Sequence, residues 1–369
     1  MSLSTNANTR LTSLDVMRGL IMIFLAAESA RVYASFDDLQ PTGFAAKVLE
    51  QFFHHPWNGL RAWDCIQPAF MTMAGSAMYI SYYYKTEKGI TWSQNFKHIA
   101  LRCLKLFIFG TALHCVYAGR LVWELWNVLT QLSVTTLIAY LIIRRSYAFQ
   151  LMISLLLLLA TDLAYRFILM PGYEELFTEG HNFGAWMDMI LMGKINAHGW
   201  VTINFVPTAA HTIWGVLAGK LLISNASAAK KISTLLIAGV IGLIAGYTLD
   251  YAGITPIIKR IATASFVLAS GGYVMIVLAI LYWLIDVRKY QKYAWIATVI
   301  GMNAIFIYLF FETVGHRWVN DTVAIFVTGF TNLVSIPMEI GDVISAFTVL
   351  LLEWGLCYWL YKRKIFFKL

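Results

Sequence analysis

Long apolar runs constrain this chain more than any other feature. Segments of about 20 mostly apolar residues, the length a helix needs to cross a bilayer core, recur at roughly 14–36, 61–84, 98–118, 121–143, 147–169, 201–223, 232–252, 262–286, 293–314 and 341–361. They are long and do not alternate, so helices are expected rather than barrel strands, each satisfying its own backbone groups in lipid. Of 369 residues, 59% are hydrophobic and 13% charged, against about 25% charged in ordinary soluble domains. The expected fold is all-α: a polytopic integral membrane bundle of about 10 transmembrane helices, one unit over 1–369.

The net charge of +8 does not mark a nucleic-acid binder, because the basic residues form no single patch. They recur in short clusters between apolar runs, as cytoplasmic loops do. With a cytoplasmic N-terminus and ten crossings, Lys85, Lys88, Lys97, Arg144, Arg145, Lys230, Lys231, Arg288, Lys289, Lys292, Lys362, Arg363, Lys364 and Lys368 fall inside. The outer side keeps few basic residues, chiefly Lys47, Arg120, Lys194, Lys259, Arg260 and Arg317, among acidic Asp37, Asp38, Glu50, Glu174, Glu175 and Glu179. The expected location is the inner (cytoplasmic) membrane with both termini cytoplasmic. Residues 1–13 read as a cytoplasmic tail and 170–200 as a long outer loop. An eleventh crossing would put the basic C-terminus outside, so 322–336 reads as a partly inserted or surface helix. The first apolar run holds Arg18, Glu28 and Arg31 and lacks a small-residue cleavage pattern, so a retained helix is expected rather than a signal peptide. Cys65, Cys103, Cys115 and Cys357 lie in apolar segments without metal spacing, which predicts free thiols and no metal.

Charged groups inside a membrane are expensive, at least ~2.5–3.5 kcal/mol each by insertion scales, and usually face a cavity or a partner. Here they include Arg18, Glu28 and Arg31 in the first run, Asp64 in the second and Glu312 in the ninth, with His114, Glu124, Gln131, His211 and Asn303 between. Each has a structural explanation. Glu28 and Arg31 are spaced to pair on one helix face. Arg18 can snorkel, His114 and His211 suit hydrogen-bonded packing, and Glu124 sits near an end in reach of water. Asp64 suits a helix-start charge or a salt bridge to Arg61. Together, so many polar groups imply a hydrated or ligand-filled cavity.

The stretch QFFHHPWNGLRAWDCIQPAFMTMAG, from Gln51, sets two histidines at the lip of an apolar run that contains Asp64. Trp57 there suits an aromatic belt. An imidazole such as His54 takes and returns protons near neutral pH, or carries an acyl group briefly. A carboxylate reaching it would fix its tautomer.

Three motifs in order, RLTSLDVMRG from Arg10, HHPWNGLRAWDCIQPAFMTMAG, and TASFVLASGGYVMIVLAILYWLID followed by GMNAIFIYLFFE, resemble the membrane family of the lysosomal heparan-α-glucosaminide N-acetyltransferase and its bacterial relatives. The resemblance implies a helical bundle that moves an acetyl group from cytosolic acetyl-CoA to an amino sugar across the membrane. It puts the family's active histidine on His54, three residues before Trp57, and its carboxylate on Asp64. Trp57 and Asn58 would offer a sugar a stacking face and an amide. Glu28, His211, Asn303 and Glu312 would complete the substrate cavity, and Asp15 and Arg18 would contact acetyl-CoA. Two departures fall near that site: Glu28 and Ser29 stand where many relatives have Asn, and Phe311 and Glu312 where the lysosomal enzyme has His-Glu. The expected partners are the sugar acceptor, acetyl-CoA and the bilayer, with a homodimer left open. Two other classes remain at this stage. An amino-sugar transporter fits the intramembrane polar groups but lacks an inverted repeat or matched broken helices. A scaffold without a small-molecule site would not need those groups.

Overall fold

The computed structural model describes residues 11–367, so Arg10, Lys368 and most of the expected N-terminal tail lie outside the described residues. The elements in chain order are α1 (Thr12–Ser29), α2 (Val32–Asp37), α3 (Gly43–Glu50), α4 (Ile66–Glu87), α5 (Trp92–Ala118), α6 (Val128–Leu141), α7 (Tyr147–Phe167), α8 (Phe183–Met192), α9 (Phe205–Ile223), α10 (Ala228–Tyr251), α11 (Ala264–Leu281), α12 (Ala294–Gly301), α13 (Ala304–Phe310), α14 (Asn320–Leu333) and α15 (Met338–Lys362). The described residues are all-helical apart from loops and two isolated bridges.

Every predicted apolar run contains helix. Among the described residues, six helices are long and apolar enough to cross a membrane, or eight spans form if each of two bent pairs counts as one. The first pair is α1–α2, bent by 49°, and the second joins α12 to Ala304–Leu333 with a 71° bend. The count of about ten is not reached because α6 has only 14 residues and α4, though 22 residues long, is too polar on average. Polar side chains in the middle of α4 face inward: Thr72 and Ser76 are fully buried. The stretch 322–336 is helical almost throughout as α14, which carries exposed Ile325, Phe326, Phe330 and Leu333.

Helix α9 is interior, with 67% of its apolar window buried, against 17% for the peripheral α10. It meets α4 at backbone distance. A Cβ on Gly75 would stand 2.1 Å from the Thr212 carbonyl oxygen, and one on Gly215 2.1 Å from that of Thr72. The Ser76 hydroxyl donates to the Gly215 carbonyl at 2.8 Å. Small residues let helices approach closely where lipid supplies no hydrophobic drive.

α1 is anchored at its start by another helix. Both Asp286 carboxylate oxygens accept from the Thr12 and Ser13 backbone N–H groups at 3.1 Å, a negative charge on a helix N-terminus. α1 stops at Ser29, and Arg31 adopts φ 64°, turning the chain into α2. That left-handed residue removes the helical spacing on which a Glu28–Arg31 pair depended, and no such ion pair forms among the described residues.

Several loops gather at one end of the bundle. The Trp57 indole donates to the Phe177 carbonyl at 2.8 Å, Trp126 to Asp188 at 2.7 Å, and the Gly59 N–H to the Ile257 carbonyl at 2.8 Å. This end carries His54.

Gly215→Ala forces a methyl group into backbone and is expected to destabilise by about 1–3 kcal/mol, as overpacking does. Gly355, with open space at its Cβ position, tolerates the same change. Thermal unfolding of the two variants in detergent checks this.

Candidate active site

His54 lies in an irregular segment that needs outside support. Asn58 bridges to Ile258, and with the Gly59–Ile257 bond this lays residues 57–59 along the loop between α10 and α11. Gly59 has φ +147°, and a Cβ there would stand 2.5 Å from the His55 ring. The same pairing delivers Lys259 to the site. Asp64 arrives from the other direction, on the short 3₁₀ turn Ala62–Cys65 that opens α4.

The Asp64 carboxylate is 0% exposed and fully engaged. Its Oδ1 meets His54 Nδ1 at 2.9 Å and Lys259 Nζ at 3.4 Å. Its Oδ2 accepts the backbone N–H groups of Arg61 at 3.0 Å and His55 at 3.2 Å. Asp64 is therefore both the helix-start charge expected from sequence and the histidine's partner. The Arg61 side chain goes elsewhere, to Glu50 and the His54 carbonyl. Lys259 Nζ also stands 3.1 Å from His54 Nδ1, so both polar contacts of the ring are at Nδ1. With Nδ1–H donated to Asp64, Nε2 keeps its lone pair. Burial holds the His54 pKa below its ordinary value, the Lys259 ammonium lowers it further, and the bond to Asp64 opposes both. Burial likewise lowers the Lys259 pKa, with Asp64 opposing. The edges of Trp63 and Trp200 flank the imidazole.

His54 and Lys259 line a cavity of about 330 Å³, at the lower end of the range for small-ligand sites. Glu28, Tyr308 and Glu312 form another part of the wall, and Tyr117 lies beside them, its hydroxyl donating to Glu312 at 2.6 Å. His114 and Trp126 add a third part. His114 Nδ1 is 2.8 Å from Glu124, whose other oxygen takes Lys194 at 2.6 Å. Gln67 and Gln131 also line the cavity, and a chain of side-chain amide hydrogen bonds runs from Gln67, which donates to Gln131, to Asn204, which accepts from Gln131.

Of the residues singled out in the sequence, His54, Glu28 and Glu312 share this cavity, with Asp64 behind His54. His114 and Gln131, noted in the sequence as intramembrane polar groups, line it too, and the remaining predicted site residues lie off its wall. Trp57 is wedged among Tyr165, Val201 and Ile258, holding the 170–200 loop. Asn58 bridges to Ile258 through its backbone. His211 is fully buried between α9 and α11, with Nε2 3.0 Å from the Val267 carbonyl, the packing role weighed for it. Asn303 sits at the α12–α13 break and grips the C-terminal segment through the Ile365 carbonyl and the Phe367 N–H. Asp15 and Arg18 pair at 3.5 Å near the start of α1, Arg18 being ten residues or about 15 Å along the helix from Glu28. Lys259, Trp200, Tyr117 and Gln67 were not selected from sequence. Lys259 had one signal: it is a lysine on the expected outer side, set in the apolar stretch TPIIKRIA.

Lys259→Met removes the ammonium that depresses the His54 pKa, so that pKa rises. Activity requiring neutral His54 is lost on acidification through this pKa, so the acid limb of the variant's pH–rate profile is expected at higher pH than the wild type's. Asp64→Asn leaves the buried Lys259 without its counter-charge and is expected to cost about 3–5 kcal/mol, read as a lower thermal midpoint.

No curated protein matches the chain. The pattern of the family described as heparan-alpha-glucosaminide N-acetyltransferase, catalytic, matches residues 10–251, covering His54, Asp64, His114 and Glu28 and ending eight residues before Lys259. With about two thirds of its length matched, the chain belongs to this family of membrane acetyltransferases.

Proposed function

We propose that the protein transfers an acetyl group from cytoplasmic acetyl-CoA to an amino sugar or glycan terminus on the outer side of the membrane. The observation that carries this reading is the 2.9 Å contact between His54 and Asp64 at a cavity shared with Glu28 and Glu312. The orientation rests on the basic residues Lys85, Lys88, Arg144, Arg145, Lys230 and Arg288, which lie in or next to the α4–α5, α6–α7, α9–α10 and α11–α12 connections, at the ends of these helices away from His54.

His54 Nε2 is the general base and takes a proton from the acceptor as its nitrogen attacks the thioester carbon. Asp64 holds the ring in the required tautomer and stabilises the imidazolium that forms. Lys259 keeps the resting imidazole neutral and offers a positive charge to the oxygen that becomes negative in the transition state. Glu28 and Glu312 offer carboxyl oxygens to the acceptor's amino and hydroxyl groups, and Trp200 gives a sugar ring an apolar face. The cavity suits the acceptor and the acetyl end of the donor. The rest of acetyl-CoA would reach toward the inner face, where Arg18 and the basic loops favour its phosphates.

The His54→Ala protein, purified and supplied with labelled acetyl-CoA and glucosamine, is expected to lose about 10²–10⁴-fold in kcat. Undiminished transfer by that variant would refute the assignment.

A further inference from the structure

The cavity wall carries a second constellation built like the first. His54 has its Nδ1 on Asp64, and Asp64 is held by Lys259, whose ammonium lies 5.6 Å from the Trp200 ring centre. His114 has its Nδ1 on Glu124, and Glu124 is held by Lys194, whose ammonium lies 6.0 Å from the Trp126 ring centre. Both imidazoles and both indoles line the same cavity. The two histidine–carboxylate pairs come from different stretches, α5 with its following loop in one case and residues 54–64 in the other, while the segment after α8 supplies Lys194 to one set and Trp200 to the other. A packing histidine needs a hydrogen-bond partner. It does not need a carboxylate clamped in turn by a lysine, nor access to a ligand-sized space.

The surroundings of the two rings differ in sign. Lys259 itself lines the cavity beside His54, a position that repels a cation and suits a developing oxyanion. Lys194 and Glu124 stand behind His114 and off the wall. The groups facing His114 are Glu124, Lys194 and Tyr117, whose ring meets the imidazole edge-on at 5.6 Å. Beyond Tyr117 lie Glu312, which accepts its hydroxyl, and Arg317, which donates to its carbonyl at 3.2 Å. The cation beside His54 is thus on the cavity wall and the one beside His114 is off it, so an ammonium meets less repulsion at His114.

We propose that His114 is a second catalytic base, which removes the first proton from the acceptor's ammonium before acetyl transfer. This rests on the acetyl-transfer reading above. The ammonium gives one proton to Nε2 of His114 and becomes a neutral amine. Its nitrogen pair forms the N–C bond to the thioester carbon, and the C–S pair leaves with sulfur. His54 takes a second proton from nitrogen and delivers it to that sulfur. His114 releases its proton to solvent. One ammonium and one thioester give one amide, one thiol and one proton.

The test is the pH dependence of kcat/KM for glucosamine, measured on full-length wild-type, His114→Gln and His54→Gln proteins with acetyl-CoA. Amino groups that titrate near pH ~8 in water become neutral unaided at high pH. The His114→Gln loss is therefore expected to be about tenfold or more near pH 6.5 and to shrink to about twofold near pH 9, while His54→Gln stays impaired throughout. A His114→Gln loss constant across the range, or no loss at the lower pH, would overturn the role. If His114→Gln does not fold, Glu124→Gln should show the same narrowing loss, and a flat profile for it counts equally against the idea. Wild-type protein that acetylates no amine at any pH would overturn the acetyl-transfer reading and this role together, an outcome distinct from a flat variant profile.

Discussion

A carboxylate with no exposed surface organises this protein. Asp64 joins three pieces of chain: the His54 segment, the start of α4, and the α10–α11 loop through Lys259. Removing two charges from water costs several kcal/mol per ion even after relaxation. Their attraction at 3.4 Å recovers about 5 kcal/mol at an effective dielectric of 20. The pair therefore contributes little net stability. Its effect is to make any arrangement that separates the partners expensive, which fixes the irregular His54 segment against a loop about 200 residues away in sequence. The two backbone N–H groups on Asp64 Oδ2 serve the same end, because they leave the carboxylate no alternative partners.

The cavity follows from how the helices close around that point. α4 and α9 pack at backbone distance through Gly75 and Gly215, which keeps the centre of the bundle narrow. At the His54 end, α1 breaks after Ser29, α6 begins only at Val128 after an irregular segment, and the α12–α14 stretch widens into π-type turns over Phe311–Val319. Irregular backbone at membrane depth is tolerated where it borders a cavity or is buried in protein. The departures from regular helix thus coincide with Glu28, Trp126 and Glu312 on the cavity wall.

Much of the architecture was legible because lipid imposes a simple rule. Each predicted apolar run holds helix, since a backbone outside water must satisfy itself locally. The span count was less secure. α4 carries polar residues that interior packing accepts, and α6 is short because its expected first turns, 121–127, are spent on loop contacts such as Trp126–Asp188. The motif around His54 pointed directly at a residue pair in contact, because ten positions of chain suffice to bring His54 back onto Asp64. Asn303 and His211 illustrate the converse. A polar residue in an apolar run signals a partner, but the same letter serves a carbonyl in a helix core, a C-terminal segment or a ligand.

Hydropathy and short spacing are local properties. They suffice to establish an all-α membrane protein, to locate its helices, and to join His54 and Asp64 in one motif. The folded molecule adds that Lys259 completes that pair, that Glu28 and Glu312 share its cavity, that Trp200 rather than Trp57 flanks the imidazole there, and that His114, Glu124 and Lys194 repeat the arrangement. Those residues come from loops and helix ends far apart in the chain. Their meeting depends on how whole helices pack, and no local pattern of residues encodes it.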